Sequence, residues 1–118
     1  MKFGNMIDEL LLRFPILKNT YESEGDYIEN LQHLCYSIVF VPFIEKTVLT
    51  NDENMMQLIC GFMEDMANSK DEMVLELLAV SILEPMLSER EIISSLKSSF
   101  GVRTLEIVFV IEKEYGWC

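Results

Sequence analysis

Residues 71–87, DEMVLELLAVSILEPML, carry apolar side chains around most of a helical circumference. Met73, Val74, Leu77, Leu78, Val80, Ile82 and Leu83 leave little room for a solvent face. A helix that is apolar nearly all round is buried, so other helices must surround it. This stretch therefore demands a multi-helix packing, and the rest of the chain supplies candidates. Pro85 ends or bends it, because proline lacks the backbone donor. Ser69 or Asp71 stands near its start as a cap.

The segment before it, TNDENMMQLICGFMEDMANS (50–69), has Met55, Leu58, Ile59, Phe62, Met63 and Met66 at helical spacing. Thr50 or Asn51 would cap it. Asp52 and Glu53 then fall in the first turn, where the helix dipole favours anions. Gly61 costs up to ~1 kcal/mol mid-helix, which a close helix crossing would explain. Further upstream, Met6, Leu10 and Phe14 predict a helix over 5–14 that Pro15 stops. NTYESEGDY (19–27) reads as a polar break. Asp26 caps a second helix there, with Glu29 three residues on. That helix runs from Tyr27 to Leu49 with Leu31, Leu34, Cys35, Ile38 and Val39 as its stripe, and Pro42 should kink it. Downstream, Ser88 and Glu91 form a capping pattern for a short helix over 88–100, and Gly101 stops it. In 102–117, Leu105, Val108 and Phe109 suit a helix, although EIVFVIE alternates as a strand would.

The expectation is an all-α single domain over 1–118, with five to six helices packed as antiparallel hairpins. Residues 50–69 and 71–87 make one hairpin, and 88–100 and 102–117 another, in a bundle or a short α-solenoid-like stack. At 118 residues, half of them hydrophobic and only three of them proline, one core can support this without metals or disulfides.

The net charge of −11 argues against direct nucleic-acid or anionic-membrane binding, both of which need clustered Lys and Arg. It favours a basic partner, or serves solubility alone. Cys35 and Cys60 sit in apolar stretches and read as core, Cys118 as a loose thiol. With no C-x-x-C pair, this pattern fits a reducing cytoplasm. The opening MKFGNMIDELLLRF does not read as a signal peptide, because Asp8 and Glu9 interrupt it. The longest apolar run, 34–44, is too short to span a bilayer, which takes about 20 residues.

Catalytic patterns are sparse, and the expectation is that the protein is not an enzyme. His33 is the only histidine, so no multi-histidine metal site can form. Glu29 lies one turn before it, but a lone His on a helix is most often structural. Cys35, two residues on, points to another face. No glycine-rich phosphate loop or calcium loop is present, so no cofactor is expected. Paired acids such as Glu64 and Asp65 diverge by about 100° around a helix and read as a solvated face. Six of the eight methionines, from Met55 to Met86, fall in the middle helices. Their spacing alongside Leu and Ile favours core filling over a flexible binding surface.

Acidic density remains. Residues 51–84 hold eight acids against Lys70 alone. Glu72 and Glu76, at i and i+4, repel on one helix face. A cost without a local reason marks a candidate functional surface. The candidate partner-binding residues are Asp65, Asp71, Glu72 and Glu76, backed by Asp52, Glu53 and Glu64. Tyr21, Tyr27, Tyr115 and Trp117 are candidate aromatic anchors, since Trp and Tyr dominate interface hot spots. For Trp117 the pattern fits packing against the body of the fold equally well.

FMEDMANSKDEMVLELLAVSILEPML (62–87) resembles the central helix pair of small bacterial immunity proteins, as in contact-dependent growth inhibition systems. The resemblance rests on Phe62, Glu64, Asp71, Val80, Ser81, Leu83 and Glu84, about a quarter of the chain. Glu76 departs from the Asn often found near that position. The resemblance implies a non-catalytic cytoplasmic antitoxin. It would neutralise the toxic C-terminal domain of a delivered effector, a basic nuclease in many such systems, by stoichiometric occlusion. The alternative is an effector chaperone or helical adaptor that holds a partner helix in a Met-lined groove.

Overall fold

The computed structural model describes residues 1–25 and 31–116. Seven helices and no strand occur among them. A 3₁₀ turn (Phe3–Asn5) leads into α1 (Met6–Arg13), and a second (Pro15–Leu17) leads into α2 (Lys18–Ser23). Residues 32–49 form α3, 72–87 form α5, and each has a π turn in its middle, Tyr36–Phe40 and Leu77–Leu83. Between them lies α4 (Glu53–Ala67), and α6 (Arg90–Lys97) and α7 (Val102–Glu114) complete the fold. No described helix is long and apolar enough to cross a membrane.

Helix α5 is the hub, packing against α3, α4, α6 and α7. Val74, Leu77, Leu78, Ile82, Leu83, Met86 and Leu87 are fully buried on it. Its circumference is not closed, however: Met73 is 55% and Val80 48% exposed. Around the hub, Phe14, Tyr36, Phe40 and Phe62 form an aromatic cluster joining α1, α3 and α4. Phe14 and Phe40 each meet Phe62 edge-on, with ring centroids 5.5 and 5.7 Å apart. The Tyr36 hydroxyl donates to the Met6 carbonyl at 2.7 Å, so its burial leaves no orphaned polar atom.

Both internal prolines are accommodated rather than disruptive. Pro42 and Pro85 each stand second in the α segment that follows a π turn. The wider i→i+5 turn lets the ring clear the carbonyl it would otherwise strike, and proline's missing donor is skipped. The two π turns pack directly against each other, so the swollen turns form the seam between α3 and α5.

Several local expectations are corrected. The polar break at 19–27 is α2 over its first half, because Pro15 starts a turn and Leu17 anchors it in the core. Asp26, Tyr27 and Glu29 lie outside the described residues. Asp52, not Thr50 or Asn51, caps α4, and the Thr50 hydroxyl instead donates back to Lys46 at the end of α3. Ser88 likewise donates back to Pro85 rather than capping α6. Gly61 faces open space, so no close crossing explains it. Leu31 and Leu58 are exposed rather than buried. Residues 102–114 are helical, and α7 packs against α4 and α5 rather than forming a hairpin with α6. Cys35 and Cys60 are core, as are three of the six middle-helix methionines, Met63, Met66 and Met86, whereas Met55 and Met56 are partly buried and Met73 is exposed.

Candidate interaction surface

The acids cluster in sequence for a local reason: most of them terminate or tie helices. Asp52 accepts the Met55 amide at 3.1 Å as the cap of α4. Asp71 caps α5 by accepting the Met73 amide at 2.9 Å, while its second oxygen accepts the Phe3 amide at 2.9 Å. The Phe3 and Met73 amides hold its carboxyl below the usual range.

Glu64 acts furthest from its own place in the sequence. Burial opposes its charge, but bonds from the Thr104 amide and hydroxyl, the Arg103 amide and Asn68 outweigh that and hold its pKa down. The start of α7 has no cap of its own, and Glu64 supplies the anion from α4. Gly101 leaves room for this cap: a Cβ there would run into the Glu64 carboxylate and force it to shift. Asp65 accepts from Arg13 at 2.9 Å, and the same guanidinium lies 5.0 Å from the centre of the Phe62 ring. That pair pins α1 to α4.

Four of the seven candidate acids, Asp52, Glu64, Asp65 and Asp71, are therefore built into the fold. Glu53, Glu72 and Glu76 remain exposed. Glu53 sits at the far end of α4, about 20 Å of helix away from the turn that leads into α5. The acids thus do not form one patch. The structure brings together Glu72 and Glu76 on the outer face of α5, with exposed Met73 between them and Val80 beyond.

His33 borders this face. Its Nδ1 lies 2.6 Å from the buried Ser81 hydroxyl, its Nε2 lies 3.8 Å from Glu76, and its ring packs on Phe3 at 5.7 Å. Ser, His and Glu in sequence look like a catalytic triad, but Ser81 is 4% exposed and cannot reach a substrate. Sequence patterns missed this node because Ser81 is 48 residues from His33. Burial pushes Cys35 up to about 11 and Cys60 up to about 12, which keeps both thiols unreactive. Among the described residues no group of three His, Cys, Asp or Glu side chains converges as metal ligands.

Of the candidate aromatic anchors, Tyr115 donates to Glu84 and joins α7 to α5, and Tyr21 packs partly buried against the core. Tyr27 and Trp117 lie outside the described residues. A second tie, invisible to sequence patterns, is Glu112. It is 7% exposed and accepts from Lys97 and Arg90 at 3.0 Å each, linking α6 to α7.

Over residues 7–112 the chain matches DUF7674, a domain of unknown function. The chain belongs to that family. The DUF7674 match begins within α1 and ends at Glu112, so it takes in both π turns, the Glu64 cap of α7 and the outer face of α5. No curated protein and no solved structure matches the chain.

Proposed function

We propose that this protein is a cytoplasmic immunity protein, a non-catalytic antitoxin. It binds a basic toxin domain one-to-one through the outer face of α5. The observation that carries this reading is Glu72 and Glu76 flanking exposed Met73, with Val80 a turn beyond. An apolar centre with a charged rim is the anatomy of a protein interface. The face is presented rigidly, because Asp71 fixes the start of α5 to the chain's N-terminal turn. The acids steer a basic partner, such as a nuclease with a phosphate-binding surface, and the apolar pair supplies contact area. The resemblance of residues 62–87 to immunity proteins supplies the biological setting.

The test is co-expression with the C-terminal toxin domain encoded immediately upstream, followed by growth and co-purification. Rescue with a tight one-to-one complex is expected, and Glu72→Lys with Glu76→Lys should abolish it. Asp71 is unsuitable for such mapping, since its reversal removes a helix cap. A harmless upstream domain, or one that does not associate, overturns the antitoxin reading.

A second reading, a helical adaptor or effector chaperone, draws on a different surface. Ile16, Ile38, Pro42, Phe43 and Met55 line a groove of about 390 Å³ between α2, α3 and α4. It is not Met-rich, since Met63, Met66 and Met86 are wholly buried. Binding lost with Phe43→Glu and kept with Glu72→Lys would favour the adaptor.

A further inference from the structure

The Ser81 hydroxyl is turned away from its own helix. Thr47, Thr50 and Ser95 each donate to the carbonyl four residues back. Ser81 does not. It is 4% exposed, and among the described residues its one hydrogen-bond partner is His33 Nδ1, at 2.6 Å.

That pairing decides which nitrogen of His33 carries the proton. Were it Nδ1, the ring would donate to Ser81, and the buried hydroxyl proton would be left without an acceptor, which is costly. With the hydroxyl donating, Nδ1 accepts and both groups are satisfied. The ring proton then sits on Nε2, at the opposite edge.

That edge faces outward. The His33 side chain is 39% exposed, and Nε2 lies 3.8 Å from Glu76, beyond hydrogen-bond distance. The ring is also held in place. It packs on Phe3 at 5.7 Å, and the Phe3 amide is bound by Asp71, the cap of α5. A fixed N–H donor thus stands beside a carboxylate at the border of the outer face of α5. Among the described residues it has no hydrogen-bond acceptor of its own.

We propose that His33 is a specificity-determining residue of that face, an inference that rests on the antitoxin reading. Its Nε2–H donates to a carbonyl oxygen of the toxin domain, next to the base held by Glu76. The two groups ask different things of a partner. Glu76 takes a Lys or Arg, which any basic surface supplies. His33 takes an acceptor immediately beside that base, which a bare cluster of Lys and Arg lacks. A wrong basic partner that sets a second cation there meets an N–H it cannot pair, so the donor discriminates by rejection as well as by attraction. Ser81 is the positioning residue: it touches no partner and acts by holding the tautomer.

The experiment begins without a partner. His33 is the only histidine, so nitrogen-15 NMR of the full chain reads its ring unambiguously. At about pH 8.5, where a free imidazole is neutral, the Nε2–H form is expected, and Ser81→Ala should admit the Nδ1–H form. Wild type in the Nδ1–H form overturns the proposal.

Calorimetry with the toxin domain encoded immediately upstream follows. The Ser81→Ala/His33→Phe variant removes the donor, keeps a ring on Phe3 and leaves no orphaned hydroxyl, so it should stay folded. Its Kd should rise about three- to tenfold, as for one lost hydrogen bond. Ser81→Ala alone should weaken binding less. His33→Gln, whose amide restores an N–H donor, should recover most of the loss. An unchanged Kd in the double variant, where Glu72→Lys/Glu76→Lys abolishes binding, overturns this role for His33 and leaves the antitoxin reading standing. No association by wild type overturns both.

Discussion

Glu64→Gln tests whether the acidic stretch serves the fold. Glu64 accepts the Thr104 amide at 2.9 Å, the Thr104 hydroxyl at 2.8 Å and the Arg103 amide at 3.1 Å. Glutamine keeps an acceptor oxygen but loses the charge and one acceptor. Loss of a capping side chain costs about 0.5–2 kcal/mol, and loss of an anion at a helix N-terminus about 0.3–1 kcal/mol. A net cost of about 1.5 kcal/mol follows, or roughly 5 °C in melting temperature for a domain of this size. Removing any acid from a chain of net charge −11 also relieves repulsion, so Glu72→Gln is the matched control and should shift the melt by less than about 0.5 kcal/mol.

The sign with pH is fixed by the depressed pKa. Glu64 sits below the ordinary glutamate value of 4.5 when folded, so its contribution is present above that value. It is lost as pH falls through the folded pKa. Urea melts followed by circular dichroism should therefore separate wild type from Glu64→Gln at about pH 7 and bring them together near pH 3. Amide exchange at Arg103 and Thr104 should quicken in the variant. Identical melts at neutral pH, or a difference that persists undiminished in acid, would refute the capping role.

Other consequences follow from the same contacts. Glu112→Ala should cost about 2 kcal/mol in urea melts, and Arg90→Ala less, because Lys97 still neutralises the acid. Gly61→Ala should stabilise by up to ~1 kcal/mol, because its added methyl meets nothing within 4 Å. Cys35 and Cys60, both buried with raised pKa, should resist a thiol reagent until denaturant is added, as read by peptide mass mapping.

Apolar period made α4 and α5 legible from sequence, while the cap of α4 fell on Asp52 rather than on Thr50 or Asn51. The expected 50–69 and 71–87 stand against Glu53–Ala67 and 72–87 in the structure. Apolar periodicity spans a whole helix and survives small errors in its ends. The π turns were not legible, because a one-residue swelling barely alters that period, yet it is what lets Pro42 and Pro85 stay inside continuous helices. Exposure was overread in the other direction. Leu58, Met73, Val80 and Phe109 have core-like chemistry but lie outside, and a sequence carries no mark of which neighbour fails to cover them.

The candidate site was half legible for a related reason. Asp52 and Asp71 cap their own helices, a role readable within three residues. The partners of Glu64 and Asp65 lie 40 and 52 residues away, respectively, so nothing local distinguished them from Glu72 and Glu76. Two neighbouring acids on α4 thus tie the fold, while two on α5 remain available.

The central claim is that binding runs through the exposed acids of α5, Glu72 and Glu76, and not through Glu53 at the far end of α4. The direct test measures affinity for the upstream toxin domain by titration calorimetry, comparing wild type with Glu72→Lys/Glu76→Lys and with Glu53→Lys. The account predicts a one-to-one complex weakened at least a hundredfold by the α5 pair, within the range for close charge pairs, and little changed by Glu53→Lys. Equal loss from Glu53→Lys, or undiminished binding by the α5 variant, would contradict it.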